Sequence, residues 1–284
     1  MVDYRLGLYE KAMPNDLVFP EKLREAKRAG YDFMEISIDE SEGKLSRLKW
    51  SLRERQAIVE TMLEIGIRVE TLCLSAHRKY PIGSLDEATV RRGMEILHDV
   101  VFLAVDLGIR IIQLAGYDVY YTASSNDTRN RFLENLRLGV ELAASHGIIL
   151  AFETMETDFM NTVSKALAIV RSIDSPFLQI YPDIGNITNS ARALGQNPSA
   201  DLNTGRGRIV AVHLKETSPG RFREVPYGEG HVDFRQCISE ALDEGVRLFV
   251  AEYWYDGQDD WRRKNDRCRE FLEAKFIQAM DGRE

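Results

Sequence analysis

IILAFETMETDFMNTVSKALAIVRSIDSPFLQIYPDIGN, residues 148–186, holds two short apolar runs that each end in a carboxylate. IILAFE closes on Glu153, and LQIYPD closes on Asp183 thirty residues later. That spacing fits one strand, one helix and their connections, the length of a βα repeat. A run that is apolar on both faces suits a parallel strand covered by helices. A lone charge at its C-terminal end is out of place there unless something uses it. Two later runs continue the pattern: IVAVHL (209–214) carries His213, and LFVAEY (248–253) carries Glu252. The four residues follow one another at steps of 30, 30 and 39.

Working outward, four earlier runs have the same character: YRLGLY (4–9), FMEISI (33–38), VETLCL (69–74) and RIIQLA (110–115). Amphipathic stretches such as EKLREAKRAG and SLRERQAIVETMLEIG lie between them. Five of these stretches end in glycine just before the next run, at Gly30, Gly66, Gly108, Gly147 and Gly245. Glycine after a helix is the usual punctuation of an αβ connection. Ser51, Asp127 and Asp233 are the expected N-caps of three helices. Eight βα units predict an α/β chain folded as a (β/α)8 TIM barrel, one domain over 1–284. The open doubly wound sheet is weaker, because no GxGxxG follows the first run. Segment 187–206 is rich in small residues and predicts a modified sixth helix with a loop.

With 284 residues and 44% hydrophobic content, the chain can fill one large core. A net charge of −8 argues against a nucleic-acid or anionic-membrane surface, while leaving room for a small phosphate held by a few local cations. Cys73, Cys237 and Cys268 are odd in number and lack a CxxC spacing, which suits free thiols in a reducing cytosol. No apolar run approaches membrane-spanning length and no leader pattern opens the chain, so a soluble cytoplasmic protein is expected.

In a TIM barrel the strand C-termini converge on the active-site mouth. Glu153, Asp183, His213 and Glu252 close the fifth to eighth strands, neighbours around half the rim. Three carboxylates and an imidazole form a mainly hard donor set, suited to one divalent ion: Zn²⁺, Mn²⁺, Co²⁺ or Mg²⁺. Singly, each could equally cap a helix or pair with a lysine; together they favour a metal site. Glu156 in FETMET either orients Glu153 or holds a water, or is a solvated loop acid.

With these strand ends in place, the chain resembles the xylose-isomerase-like TIM barrels and, within them, the ketose 3-epimerases. LGLYEKAMP (6–14), LCLSAHRKYPIGS (72–84), IRIIQLAGYDVYY (109–121), LQIYPDIGN (178–186) and VAVHLKETSPGRFREVPYGEGHVDF (210–234) sharpen the likeness to the L-ribulose-5-phosphate (L-xylulose-5-phosphate) 3-epimerases of L-ascorbate and pentose catabolism. The resemblance covers essentially the whole chain. It implies metal ligation by Glu153, Asp183, His213 and Glu252, acid/base roles for Glu153 and Glu252, and a homodimer. It also implies that Arg223 binds the carbonyl end of a ketose. Epimerases of free ketoses often carry a histidine where this chain has Asn186, which is expected to donate to O2 more weakly.

A phosphorylated ketopentose then needs a cation cluster. If Arg223 holds the carbonyl end, the phosphate points toward the first, third and fourth loops, where Lys11, His77, Arg78, Lys79, Tyr120 and Tyr121 lie. The common TIM phosphate position would instead use Lys215 and Arg221; alternatively, Lys215 neutralises the metal carboxylates. Tyr9, Met13 and Trp254 are candidate walls. Two rival readings share the metal pattern. One is a ketol isomerase on a pentulose or hexulose phosphate, the other a metal- or sugar-binding barrel without turnover. An endonuclease would need more strand-end histidines and a basic face.

Overall fold

A computed structural model describes residues 3–281. Eight strands form one parallel sheet: β1 Arg5–Tyr9, β2 Phe33–Ile38, β3 Arg68–Leu74, β4 Ile111–Ala115, β5 Ile149–Glu153, β6 Leu178–Ile180, β7 Val212–Leu214 and β8 Leu248–Ala251. Neighbours pair in chain order, and β8 pairs with β1. β6 and β7 close the ring through the parallel bridges Ile180↔Ile209 and Asp183↔His213. The N–H groups of Ile180 and His213 there donate to Arg208 O and Pro182 O, both at 2.9 Å. The structure is the expected (β/α)8 barrel.

The described residues also form ten α-helices: α1 Phe19–Arg28, α2 Glu42–Leu45, α3 Leu52–Ile65, α4 Glu87–Leu107, α5 Asn126–Ser145, α6 Val163–Ile173, α7 Ile184–Leu194, α8 Pro198–Thr204, α9 Phe234–Asp243 and α10 Trp261–Met280. Gly66 and Gly108 end α3 and α4 in the left-handed region, as their sequence position requires. Ser51 caps α3 in a full capping box with Glu54, and Asp233 caps α9. Asp127 is not a cap. Ser125 takes that place, with Thr128 as its reciprocal partner. Segment 187–206 also differs from expectation. It belongs to two helices, and the first begins at Ile184, directly after its N-cap Asp183.

Strand period two sorts the barrel's interior by height. Phe33, Ile111, Ala151, Tyr181 and Val250 belong to one apolar cluster inside the ring. β1 carries Gly7 there because a Cβ would stand 2.4 Å from the Phe33 ring. Closer to the strand C-termini the inward residues turn polar: Glu35, Thr71, Gln113 and His213 are all fully buried. The larger aliphatic core lies between the strands and the helices.

Candidate active site

Glu153 is the last residue of β5, and Glu252 directly follows β8. Asp183 is the N-cap of α7, and His213 is the middle residue of β7. All four are buried, and one ligand atom from each lies within 4.8 Å of the others. His213 sits between the two glutamates, with Nδ1 2.9 Å from Glu252 Oε2 and 3.8 Å from Glu153 Oε1. Asp183 Oδ1 accepts the N–H of Asn186 at 2.9 Å. Its Oδ2 and Glu252 Oε2 are buried without a well-aimed hydrogen bond. The Lys215 ammonium, 2.6 Å from Asp183 Oδ2 and 3.7 Å from Glu252 Oε2, lies close to both as an ionic neighbour.

A second tier fixes the imidazole from below. Glu35 Oε1 lies 2.7 Å from His213 Nε2, while Glu35 Oε2 accepts from Thr71 Oγ1 at 2.7 Å and Tyr181 OH at 3.0 Å. A carboxylate behind a histidine sets its tautomer and leaves the other nitrogen facing the cluster. Glu35 was not singled out from sequence, although a carboxylate inside FMEISI breaks an apolar run as visibly as Glu153 does.

So many acids in a dry site compete for positive charge. Burial raises the Asp183 carboxyl to about 7 in spite of Lys215. Burial also opposes ionisation of Glu252, but Lys215 and His213 outweigh it and hold that carboxyl low. The His213 imidazole is pushed well up, because Glu35 and Glu252 overcome its burial. Carboxylate oxygens left without hydrogen bonds, and an imidazole nitrogen aimed among them, fit a divalent cation held by Glu153, Asp183, His213 and Glu252.

The cavity above the cluster is walled by Tyr9 and Trp254 as expected. Lys11, Arg78, Glu156, Asn186, Lys215 and Arg223 project into it. Arg223 lies over the Trp254 ring, 5.8 Å from its centroid. Asn186 already uses one N–H of its amide within the protein. Its Nδ2 donates to Thr154 O at 2.7 Å, and the buried atom left unpaired is the acceptor Oδ1. Glu156 accepts from Tyr120 OH at 2.9 Å, and the Arg78 guanidinium lies 4.8 Å from that ring's centroid. Tyr120 therefore braces two cavity residues without itself being among those that line the cavity.

Four other residues lie away from it. His77 Nε2 is 3.1 Å from Gly93 O on α4, and burial pushes its imidazole down to about 4, so it brings no charge to a phosphate. Tyr121 is exposed and donates to Glu40. Met13 is a core residue. Arg221 donates to the carbonyls of Arg223 and Glu224 within its own loop. Ser75 and Phe222 line the cavity and were not anticipated.

The family model of the xylose isomerase-like TIM barrels matches residues 23–275. L-ribulose-5-phosphate 3-epimerases UlaE of Escherichia coli (strain SE11) and Shigella sonnei (strain Ss046) are each 43% identical over 96% of this chain and 95% of theirs. The chain belongs to this family of xylose isomerase-like TIM barrels. A solved L-ribulose 3-epimerase superposes with a TM-score of 0.76 at 19% identity, over 97% of this chain and 95% of that one. D-psicose 3-epimerase from Clostridium cellulolyticum H10, solved with D-tagatose, reaches 0.79 at 15% identity, over 96% and 99%. At such identities the likeness concerns the barrel itself. Among the described residues, no helix is long and apolar enough to cross a membrane.

Proposed function

We propose that this family member inverts C3 of a ketopentose phosphate, interconverting L-ribulose 5-phosphate and L-xylulose 5-phosphate. The observation that carries the reading is the buried cluster in which His213 separates Glu153 from Glu252. The C3–H of a 2-ketose is weakly acidic, because its removal gives an enediolate. Inversion takes the proton from one face and returns one to the other, which calls for two opposed carboxylates. Glu153 and Glu252 approach from β5 and β8 and suit that pair, leaving Asp183 and His213 as plainer ligands. Glu153, Asp183, His213 and Glu252 would hold a divalent ion, Zn²⁺, Mn²⁺, Co²⁺ or Mg²⁺, which when bound would supply Lewis-acid charge at the ketose oxygens. Arg223 orients the carbonyl end, and Asn186 Oδ1 accepts from a sugar hydroxyl. Tyr9 and Trp254 exclude water.

The phosphate goes to Lys11 and Arg78. Arg78 Nε is buried with no hydrogen-bond partner, and Ser75 shares the wall. Lys11 Nζ, 2.6 Å from Asp39 Oδ2, is held in place by that ion pair. The 43%-identical relatives named for the phosphorylated sugar support this substrate. We extend the proposal to a cytoplasmic homodimer acting in L-ascorbate degradation.

Solvent deuterium incorporation at C3 of L-ribulose 5-phosphate tests the proposal. Glu153→Gln and Glu252→Gln should each slow it by roughly 10³-fold. Near-normal exchange in both variants, or a product with the carbonyl moved to C1, overturns it. Equal kcat/KM on L-ribulose 5-phosphate and free L-ribulose overturns the phosphate site alone.

A further inference from the structure

The connection from β7 to α9 is a built object. The N–H of His231 donates to Thr217 O at 2.9 Å, drawing the ends of an Ω-shaped loop together. At its base lies Glu216, 2% exposed. Glu216 Oε1 accepts the N–H groups of Thr217 and Val232, and Oε2 accepts that of Gly228, each at 3.1 Å. The chain passes so near that a Cβ on Gly230 would stand 2.3 Å from Glu216 Oε1 and 2.1 Å from Thr217 O. Further out, Asn189 of α7 accepts from Gly220 N at 3.0 Å and donates to Arg221 O at 3.3 Å. Arg221 gathers the carbonyls of Arg223 and Glu224 at 3.1 and 2.6 Å, and Glu224 is held at φ +58°. A non-glycine residue stays in that region only where its surroundings enforce it. The residue so presented is Arg223.

We propose that Glu216 is a positioning residue for the substrate. Its carboxylate closes the loop from beneath, so that Arg223 meets the ketose already in place. Glu216 borders the adjoining cavity rather than the one Arg223 enters, and both its oxygens are taken up by loop N–H groups, so it acts through the loop. A carboxylate suits the task because both its oxygens accept, and three backbone N–H groups converge on it. An amide of the same size turns an NH₂ group toward one of those donors. Holding the guanidinium ready removes an ordering cost that substrate binding would otherwise meet.

The proposal rests on the role of Arg223 given above, and a double-mutant cycle separates the two. Glu216→Gln, Arg223→Ala and the double variant are compared by steady-state kinetics on L-ribulose 5-phosphate, with metal affinity and amide exchange at Gly228 and Val232 followed alongside. Glu216→Gln should lower kcat/KM about tenfold, chiefly through KM, and should speed exchange of the Gly228 amide, which loses its acceptor, while leaving metal affinity unchanged. The double variant should be no worse than Arg223→Ala, because effects that run through one residue do not multiply. Should Glu216→Gln fail to fold, Glu216→Asp, which keeps both oxygens but withdraws them by one methylene, enters the same cycle. Effects that multiply, or a Glu216 variant with normal kinetics, overturn the proposal. An Arg223→Ala enzyme with normal kinetics overturns the reading of Arg223 and the proposal with it.

Discussion

A neutral imidazole is buried at position 77, and its titration should shape the protein's stability in acid. Burial holds His77 down to about 4, against about 6.5 for an exposed histidine. Between those values the unfolded chain binds a proton that the folded one refuses. The contribution is therefore complete above about pH 6.5 and is lost as pH falls to about 4, a loss of order 3 kcal/mol. Thermal unfolding of His77→Gln across that window should show a flatter pH dependence than the parent, and an unchanged slope would contradict the assignment. Residues differed in how far they could be read in advance. Glu153, Asp183, His213 and Glu252 stand out because charge at the end of an apolar run is anomalous. His77 and Tyr121 could not be sorted from Arg78, because which way a loop side chain points is settled by packing alone.

Around the first βα connection, four elements are tied by one side chain. Glu10, in the turn after β1, is fully buried and pairs with Arg47 in the turn after α2, with Lys44 of α2 at 2.8 Å and with Lys22 of α1 at 3.5 Å. It also accepts the N–H of Ser37 on β2 at 2.6 Å. Burial alone would raise its carboxyl, but Arg47, Lys44 and Lys22 reverse this and hold it far below the carboxylate range. Glu10→Gln would leave three buried cations without their anion. Such losses cost about 3–5 kcal/mol, which denaturant titration should register. Loss of under about 1 kcal/mol would mean that the cations reach water. Elements with strong local signals were readable from composition: helices ended by Gly66 and Gly108, and α3 opened by Ser51. The α2 turn was not, because Glu42–Lys49 has too few residues for a period, and its lysine and arginine are held by Glu10 from the turn after β1.

At the scale of the molecule, ion binding at the proposed site would be linked to folding, since its four residues come from four separate βα units. A divalent ion at 100 times its Kd should stabilise the fold by about 2.7 kcal/mol, a rise of several degrees in Tm. Calorimetry with and without a chelator checks this. The shift should vanish in Asp183→Asn, and no shift with Zn²⁺, Mn²⁺, Co²⁺ or Mg²⁺ would argue against the site. The repeat of apolar runs, their terminal charges and the glycines between them were enough to establish the barrel, because period, length and backbone freedom are local properties of a chain. The clustering of Glu153, Asp183, His213 and Glu252 at the rim followed, since strand ends converge in any such barrel. Tertiary structure alone decided the rest. Glu35 meets His213 across 178 residues, Asn186 commits an N–H to Thr154 O, and Glu216 holds the loop that carries Arg223. Those are contacts between atoms far apart in sequence, and a one-dimensional pattern holds no distance between them until the strands close the ring.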